Sequence, residues 1–256
     1  MEKKRLDVLL VEGKLVESRQ RAQAVILAGE VQVNGRVIDK AGARVAEGAE
    51  IVIRAPLKYV SRGGLKLEGA LDAFGVDPRG KTCADIGAST GGFTDCLLQR
   101  GAVRVYAVDV GYGQLAWRLR SDARVVVVDR VNVRYLESLP EPIDLATIDV
   151  SFISLTQVIP VAKRLLQPCG EIIALIKPQF EAGRAQVGKG GIVRDARVQR
   201  AVIEKIAQHA MENDLCVRGV CRSPIAGADG NVEFFIRLSS DASLPTIPIS
   251  NLQSLP

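Results

Sequence analysis

Short apolar runs alternate with amphipathic stretches along most of this chain, from residue 82 to residue 238. The apolar runs predict strands at 82–86, 103–108, 124–128, 143–149, 171–176, 216–222 and 232–238. Stretches with helical spacing predict helices at 92–100, 113–120, 155–166 and 195–213. Strands that alternate with helices form a parallel sheet covered on both faces, so we expect a Rossmann-like α/β fold with seven strands. The last strand follows a Gly230-Asn231 turn, which predicts that it enters the sheet antiparallel.

The first 55 residues have a different pattern, in which two short helices precede a small sheet. Ser18 is placed to cap the second helix, which runs to Ala28. Asn34-Gly35 between alternating residues predicts a hairpin, and residues 50–54 predict a closing strand. The predicted division is therefore a small α+β domain over 1–55, a linker over 56–60, a large α/β domain over 61–238, and a disordered tail over 239–256.

The charge and cysteine content narrow the class of protein. A net charge of +5 and a pI of about 9.0 are consistent with a polyanionic partner. The sequence shows neither a signal peptide nor an apolar run of the ~18 residues that a membrane span needs. Five cysteines, an odd number without a C-x-x-C pair, predict reduced thiols rather than disulfides or a zinc site. We therefore expect a cytoplasmic protein that binds no membrane and no metal.

A glycine-rich turn follows the first predicted strand of the large domain, in the run ADIGASTGGFT over residues 84–94. Its spacing does not meet the dinucleotide fingerprint G-x-G-x-x-G, and no phosphate-loop lysine follows. Acidic residues at three strand ends suit a nucleoside that carries a positive charge, as S-adenosylmethionine does. In this hypothesis Asp85 lies near the ammonium group, Asp109 binds ribose hydroxyls and Asp129 meets the adenine amino group. The alternative is that these acids only cap helices.

The candidate cofactor-binding residues include the turn as well as the three acids. They are Asp85, Gly87, Ser89, Gly91, Gly92, Phe93, Asp109 and Asp129. A second group of charges lies at the same expected edge of the sheet: Asp149 and Lys177 follow neighbouring strands, Glu233 opens the last strand, and Lys66 lies on the helix before the sheet. A lysine after an apolar strand is costly unless it is paired or functional, so this group is either a catalytic site or a structural ion pair.

Two resemblances bear on function. The run SRQRAQAVILAGEVQVNGRVI resembles the S4 (S-four) RNA-binding domain, which implies contacts with structured RNA. The predicted RNA-binding residues are Arg5, Arg19, Arg21, Arg62, Arg184 and Lys189. Lys66, Asp149, Lys177 and Glu233 match in order the Lys-Asp-Lys-Glu tetrad of the FtsJ-like ribose 2′-O-methyltransferases.

The runs SRGGLKL, DIGASTGGFTD, VDVGYGQLAW, SFISL, KPQFE and GNVEFF are similar to the TlyA family, which joins an S4 domain to an FtsJ-like domain and is often labelled hemolysin. This resemblance implies S-adenosylmethionine-dependent 2′-O-methylation of cytidine in ribosomal RNA. It makes Lys177 the general base, with Asp149 and Glu233 orienting the lysines and Lys66 holding the hydroxyl or a phosphate. The alternatives are a membrane-active hemolysin and an RNA-binding module with an inactive methyltransferase fold.

Overall fold

The computed structural model describes residues 3–27, 29–53, 58–227 and 230–248. The chain divides into two units, Met1–Lys58 and Tyr59–Pro256. The division lies within the predicted linker, residues 56–60, the first two residues of which are outside the described ranges. None of the helices in those ranges has the length and the apolar character that a membrane crossing requires.

The N-terminal unit contains two helices and two small antiparallel sheets. Its elements are β1 (Lys3–Arg5), α1 (Leu6–Glu12), α2 (Arg19–Leu27), β2 (Val31–Val33), β3 (Arg36–Val37), β4 (Arg44–Ala46) and β5 (Ile51–Ile53). Strand β1 pairs with β4, and the other sheet has the order β3-β2-β5. The predicted helices and hairpin are confirmed within the described residues: Ser18 accepts a hydrogen bond from the Arg21 amide, and Asn34 in the turn has φ +47°. Ala28, the predicted end of the second helix, and Arg54, the predicted end of the closing strand, lie outside the described ranges. Strands β1 and β4 were not predicted.

The helices of the N-terminal unit bury one apolar stripe each. Leu6 and Leu10 of α1 and Val25 and Ile26 of α2 are at most 3% exposed, and they pack with Val31 of β2. Leu6 and Leu10 are four positions apart, and Val25 and Ile26 follow the buried Ala22 by three and four positions, so the buried residues lie on one face of each helix. Their burial supplies the core of a unit that is otherwise rich in charge.

The C-terminal unit is a seven-stranded sheet with helices on both faces. Its elements are α3 (Arg62–Phe74), β6 (Thr82–Ile86), α4 (Gly92–Gln99), β7 (Arg104–Val108), α5 (Trp117–Arg120), β8 (Val125–Val128), β9 (Ile143–Ile148), α6 (Leu155–Leu165), β10 (Leu166–Ile176), α7 (Pro178–Glu181), α8 (Ala196–Glu212), β11 (Cys216–Arg222) and β12 (Phe234–Ser239). Single 3-10 turns lie at Val133–Tyr135 and Arg184–Gln186.

The strand order is β11-β12-β10-β9-β6-β7-β8, and β12 runs antiparallel to both of its neighbours. The predicted seven-stranded Rossmann-like fold is therefore confirmed, including the direction of the last strand. Strand β6 lies between β7 and β9, so the chain leaves it in one direction and later returns on its other side. Such a reversal opens a crevice at the carboxyl ends of the strands, where open α/β sheets bind ligands.

The two faces of the sheet bury separate apolar clusters. One cluster packs residues of α6 and α8, such as Ile159 and Ile206, against the sheet. The other packs residues of α3 and α4, such as Leu67 and Leu97, against the opposite face. Because the strands are covered on both faces, they read as continuous apolar runs, which is why their sequence signal is strong.

Three expectations differ from the structure. Strand β10 begins at Leu166, before the predicted strand 171–176, and its register with β9 shifts between Leu166 and Glu171. The helix predicted over 113–120 is a single turn, α5, because the preceding loop is held by hydrogen bonds from the Gly111 and Gly113 amides to Asp109 and Asp129. The tail predicted to be disordered from residue 239 begins with the end of β12, and the Ile247 amide donates to the Val217 carbonyl. Residues 249–256 of that predicted tail lie outside the described ranges.

Candidate active site

The glycine-rich turn lies between β6 and α4, at the reversal of strand order. Gly87 has φ +89°, and a Cβ there would lie 2.5 Å from the Asp149 carbonyl oxygen. Only glycine accommodates both the left-handed conformation and this approach to the segment after β9. The amides of Gly87 and Ala88 both donate to the Val108 carbonyl, which fixes the turn against the end of β7.

Helix α4 begins where it packs closely on α3. A Cβ at Gly92 would lie 2.9 Å from the Gly64 backbone nitrogen, so the two helix starts approach at glycine positions. Phe93 in the first turn of α4 is buried, with its ring centroid 6.1 Å from that of Phe235 in β12. This close packing brings Lys66, one turn into α3, to the edge of the sheet where the turn lies.

Asp85 is the next-to-last residue of β6, and its carboxylate is fully buried. Its Oδ2 accepts hydrogen bonds from the Thr94 amide (2.8 Å) and the Thr94 hydroxyl (2.7 Å). Its Oδ1 is buried and has no hydrogen-bond partner among the described residues. Burial, reinforced by the nearby carboxylates of Asp149 and Asp109, raises the pKa of Asp85 to about 7. A buried acceptor that lacks a donor is rare, and this one lines a cavity of about 330 Å³.

Asp109 follows β7 and lines a larger cleft of about 820 Å³. Its Oδ2 accepts from the Ser89 amide (2.8 Å) and its Oδ1 from the Gly111 amide (2.7 Å). The cleft shares Gly87, Ser89, Asp149 and Ser151 with the smaller cavity, so the two are adjoining. Of the predicted cofactor residues, Asp85, Gly87, Ser89, Gly92 and Phe93 line the smaller cavity, and Gly87, Ser89 and Asp109 line the cleft.

Asp129 does not line either space. Its carboxylate is 2.5 Å from the Arg120 guanidinium and accepts from the Gly113 amide, and these hydrogen bonds lower its pKa. The residues that follow Asp129, Val131 to Val133, line the cleft instead. Asp129 is therefore apart from Asp85 and Asp109, and its hydrogen bonds with Gly113 and Arg120 hold the loop before α5 against α5 itself. Gly91 is likewise absent from both linings, although it is the residue before α4.

The four charged residues of the predicted tetrad form two ion pairs. Lys177 Nζ lies 2.6 Å from Asp149 Oδ1 and donates to the Ser151 hydroxyl at 3.0 Å. Strands β9 and β10 are parallel neighbours, so residues 149 and 177, each directly after its strand, come together at the carboxyl edge. Lys66 Nζ lies 2.6 Å from Glu233 Oε2. This second pair joins α3 to the start of β12.

The two ion pairs are largely removed from solvent. The side chains of Lys66 and Lys177 are each 12% exposed, Asp149 is 22% exposed and Glu233 is 2% exposed. Both lysines and Asp149 line the same 330 Å³ cavity as the glycine turn and Asp85. The cavity therefore holds two paired, partly buried lysines together with Asp85, a carboxyl group with a raised pKa, and a cleft with such a group is a candidate functional site.

Phe152 is a candidate site residue that the sequence interpretation missed. Its side chain is 90% exposed, its φ is +63°, and its ring centroid lies 4.8 Å from that of Phe180. Both rings line the cleft, and Lys177 Nζ is 5.9 Å from the Phe180 centroid. An exposed aromatic side chain in a left-handed conformation on the loop that follows a strand is strained, and such strain clusters at ligand sites. The signal in the sequence was an aromatic residue three positions after Asp149.

The predicted RNA-binding residues occupy different settings. Arg5 and Arg19 meet at one buried carboxylate, that of Asp7, and the Arg21 side chain is exposed on α2. Arg62 lines the smaller cavity and donates to the Ala226 carbonyl at 3.0 Å. Arg184 and Lys189 are exposed on the glycine-rich loop after α7, and neither lines the cavity or the cleft.

Two models of known protein families match this chain, one in each unit. The model of the FtsJ-like methyltransferases matches residues 59–240, and the model of the S4 domain matches residues 4–51. The chain belongs to the FtsJ-like methyltransferase family, carries an S4 domain at its N-terminus and is a homologue of TlyA.

The relatives in question cover nearly the whole chain. TlyA of Mycobacterium tuberculosis, named a 16S/23S rRNA (cytidine-2′-O)-methyltransferase, is 44% identical over 246 residues, which are 94% of this chain and 92% of that protein. YqxC of Bacillus subtilis, provisionally named an rRNA methyltransferase, is 51% identical over 243 residues, or 92% and 85% of the two chains. A solved structure from Streptococcus thermophilus, provisionally described as a hemolysin, has a TM-score of 0.76 at 43% identity and covers 99% of this chain and 94% of that one.

Proposed function

We propose that this protein transfers the methyl group of S-adenosylmethionine to the 2′-hydroxyl of a cytidine in ribosomal RNA. The observation that carries the proposal is the placement of two lysine–carboxylate pairs in the same cavity as the glycine-rich turn. The names of the M. tuberculosis and B. subtilis relatives support the RNA substrate, and the S4 domain supports binding of RNA.

The residues of the cavity and the cleft fit S-adenosylmethionine. The orphaned Oδ1 of Asp85 is an acceptor for an ammonium donor, and Asp109 is placed to accept from ribose hydroxyls at the cleft. Gly87 and Ser89 leave the backbone accessible between the two spaces. Bound there, the cofactor supplies an electrophilic methyl group on a positively charged sulfur.

Lys177 is the proposed general base. A ribose hydroxyl is a weak nucleophile, so its proton must leave as its oxygen bonds to the methyl carbon and the carbon–sulfur bond breaks. Lys177 takes that proton on Nζ, and Asp149 and Ser151, within 2.6 and 3.0 Å, orient the amine and stabilise the ammonium that results. This step requires the neutral amine of Lys177, because only a neutral amine accepts a proton.

Lys66 and the surrounding groups position the substrate. Held by the buried Glu233, Lys66 directs its remaining N–H groups at the cavity, where it binds the attacking oxygen or an adjacent phosphate. Phe152 offers an exposed ring at the cleft on which the target base stacks, as single nucleotides do on aromatic side chains. Alignment of oxygen, methyl carbon and sulfur then supplies much of the rate.

The test is incubation of the purified protein with methyl-tritiated S-adenosylmethionine and isolated ribosomal subunits. We expect label in ribose of cytidine with the wild type, and a loss of 100-fold or more with Lys177→Ala, since a general base contributes about 10²–10⁴. The matched control is Lys163→Ala, which removes another lysine of a lysine–aspartate pair, 3.1 Å from Asp214, that lines neither the cavity nor the cleft.

Cofactor binding separates loss of the base from loss of the site. Isothermal calorimetry should show that Lys177→Ala binds S-adenosylmethionine within about twofold of the wild type. Substantial 2′-O-methylation by this variant would remove Lys177 from the role. The hemolysin description of the S. thermophilus structure provides the alternative, and dye release from liposomes without transfer of label to RNA would favour it.

A further inference from the structure

Asp7 is a fully buried carboxylate in the N-terminal unit, and four hydrogen bonds converge on it. Arg5 donates from Nε to Oδ1 (2.9 Å) and from Nη2 to Oδ2 (3.0 Å). Arg19 donates from Nε to Oδ2 (3.0 Å), and Gln23 donates from its amide to the same oxygen (3.0 Å). These bonds, those from Arg5 above all, hold the pKa of the Asp7 carboxyl well below its ordinary value. The carboxylate is therefore charged at neutral pH.

Stability alone is a poor explanation for this arrangement. Asp7 lies between apolar residues of α1, beside Leu6 in the apolar cluster of the unit. A buried ion pair is commonly neutral or unfavourable for stability compared with apolar residues of similar volume. What Asp7 does provide is a fixed orientation for two long side chains that would otherwise be free to rotate.

The two arginines keep most of their donors for another partner. The side chain of Arg5 is 45% exposed and that of Arg19 is 56% exposed, whereas the side chain of Asp7 is fully buried. The bonds to Asp7 use two of the five guanidinium N–H groups of Arg5 and one of those of Arg19. Arg44 lies directly opposite Arg5 in the antiparallel pair of β1 and β4, which adds a further cation on the same side of that ribbon.

We propose that Asp7 is a positioning residue that fixes Arg5 and Arg19 as a preformed clamp for phosphate groups of RNA. The proposal rests on the proposed function, since it assumes that RNA is the substrate. Guanidinium groups match phosphate oxygens with paired hydrogen bonds, and holding them in place beforehand removes the entropy cost of ordering them on binding. Such contacts dock the RNA without reading its sequence.

The substitution Asp7→Asn gives opposite predictions for charge and for position. Asparagine keeps the size of the side chain but removes a negative charge, which by electrostatics alone strengthens the attraction for RNA. Its amide N–H groups also face arginine donors, so the orientation of Arg5 and Arg19 is lost. If position dominates, the Kd for ribosomal subunits rises at least fivefold despite the added positive charge.

Binding is measured with the full chain by fluorescence anisotropy or filter binding, with isolated large and small ribosomal subunits as separate probes. The matched control is Glu47→Gln, which removes an exposed negative charge in the same unit that pairs with Lys4 at 2.6 Å and does not contact the clamp. We expect the control to bind as tightly as the wild type or more tightly. In a background that carries both Arg5→Ala and Arg19→Ala, Asp7→Asn should lose most of its effect, because Asp7 acts through these two arginines.

A measurement on the wild type covers the case in which Asp7→Asn fails to fold. In the free protein, NMR relaxation of the Arg5 and Arg19 Nε–H groups should show order close to that of the backbone, whereas Arg21 should be mobile. Mobile Arg5 and Arg19 groups, or an Asp7→Asn protein that folds and binds as tightly as the wild type, would overturn the clamp alone. Failure of the wild type and of Glu47→Gln to bind either subunit would overturn the proposed function as well.

Discussion

We predict that Asp85 makes binding of S-adenosylmethionine depend on pH in a range where most carboxylates do not titrate. Burial raises its pKa to about 7, and its Oδ1 is the acceptor that we assign to the cofactor's ammonium group. The ionised carboxylate attracts that cation, whereas the protonated form does not. The experiment therefore measures the Kd for S-adenosylmethionine as the pH is lowered from 7, with the wild type and with the Asp85→Asn variant.

The magnitude follows from the pKa. With a value of about 7, roughly half of the Asp85 side chains are ionised at pH 7 and about 3% at pH 5.5. If only the ionised form binds well, the Kd rises about 15-fold over this interval. The α-amino group of the ligand stays protonated at these pH values, because such groups ordinarily have pKa values near 7.7–8.0. The trend therefore belongs to the protein.

The assay is isothermal calorimetry at pH 5.5, 6.0, 6.5 and 7.0 at constant ionic strength. Asp85→Asn should bind more weakly at pH 7 and lose the pH dependence, because its amide does not titrate. The free energy of unfolding provides an independent test, because it should change with pH in the direction opposite to the affinity for the cofactor. Between the unfolded pKa of about 3.8 and the folded pKa of about 7, the native state binds more protons, so the free energy of unfolding falls as pH rises through this window.

A Kd that is constant from pH 5.5 to 7 would refute the assignment of Asp85 to the ammonium group. So would an Asp85→Asn protein with the same pH dependence as the wild type, since the titrating group would then lie elsewhere. Asp109 is the natural control, because its two backbone hydrogen bonds place it in the larger cleft. Asp109→Asn should weaken binding while keeping the dependence on pH.

Three further predictions concern the turn, the exposed ring and the glycine-rich loop. Gly87→Ala should lower the free energy of unfolding by at least about 1 kcal/mol in urea titrations, because alanine is strained at φ +89° and its Cβ meets the Asp149 carbonyl. Phe152→Ala should lower kcat/KM about tenfold without changing the Kd for the cofactor, and Phe152→Tyr should restore it, since a stacked base is worth about 1–3 kcal/mol. Lys189→Ala should make the slope of log K for RNA binding against log salt concentration less negative by about 0.9, the value for one phosphate contact. An unchanged slope would mean that Lys189 does not contact RNA.

The sheet was predictable because each of its strands is marked by a short, largely apolar run of residues. Strands buried on both faces leave apolar runs that few other structures produce, and parallel strands bring their carboxyl ends to one edge. The sequence alone therefore predicts that Asp149 and Lys177 lie together at that edge. The pairing of Lys66 with Glu233 was less accessible, because it depends on the packing of α3 against α4 at Gly64 and Gly92.

What the sequence could not decide was which partner each polar group takes. Asp109 and Asp129 follow neighbouring strands in the same way, yet Asp109 lines the cleft and Asp129 pairs with Arg120. The choice is made by the path of the loop between β7 and β8, which no periodicity encodes. Strands β1 and β4 were missed for a similar reason: they are three residues long, and charged residues dominate β1. The convergence of Arg5 and Arg19 on Asp7 also requires the fold.

We propose that the two lysine–carboxylate pairs, Lys177–Asp149 and Lys66–Glu233, promote methyl transfer to a ribose hydroxyl. The most direct measurement is mass spectrometry of nucleosides from ribosomal subunits treated with S-adenosylmethionine and either the wild type or Lys177→Ala. We expect 2′-O-methylcytidine with the wild type and its loss with the variant. Methylation of a base instead of a ribose, or 2′-O-methylcytidine in equal amounts with both proteins, would contradict it.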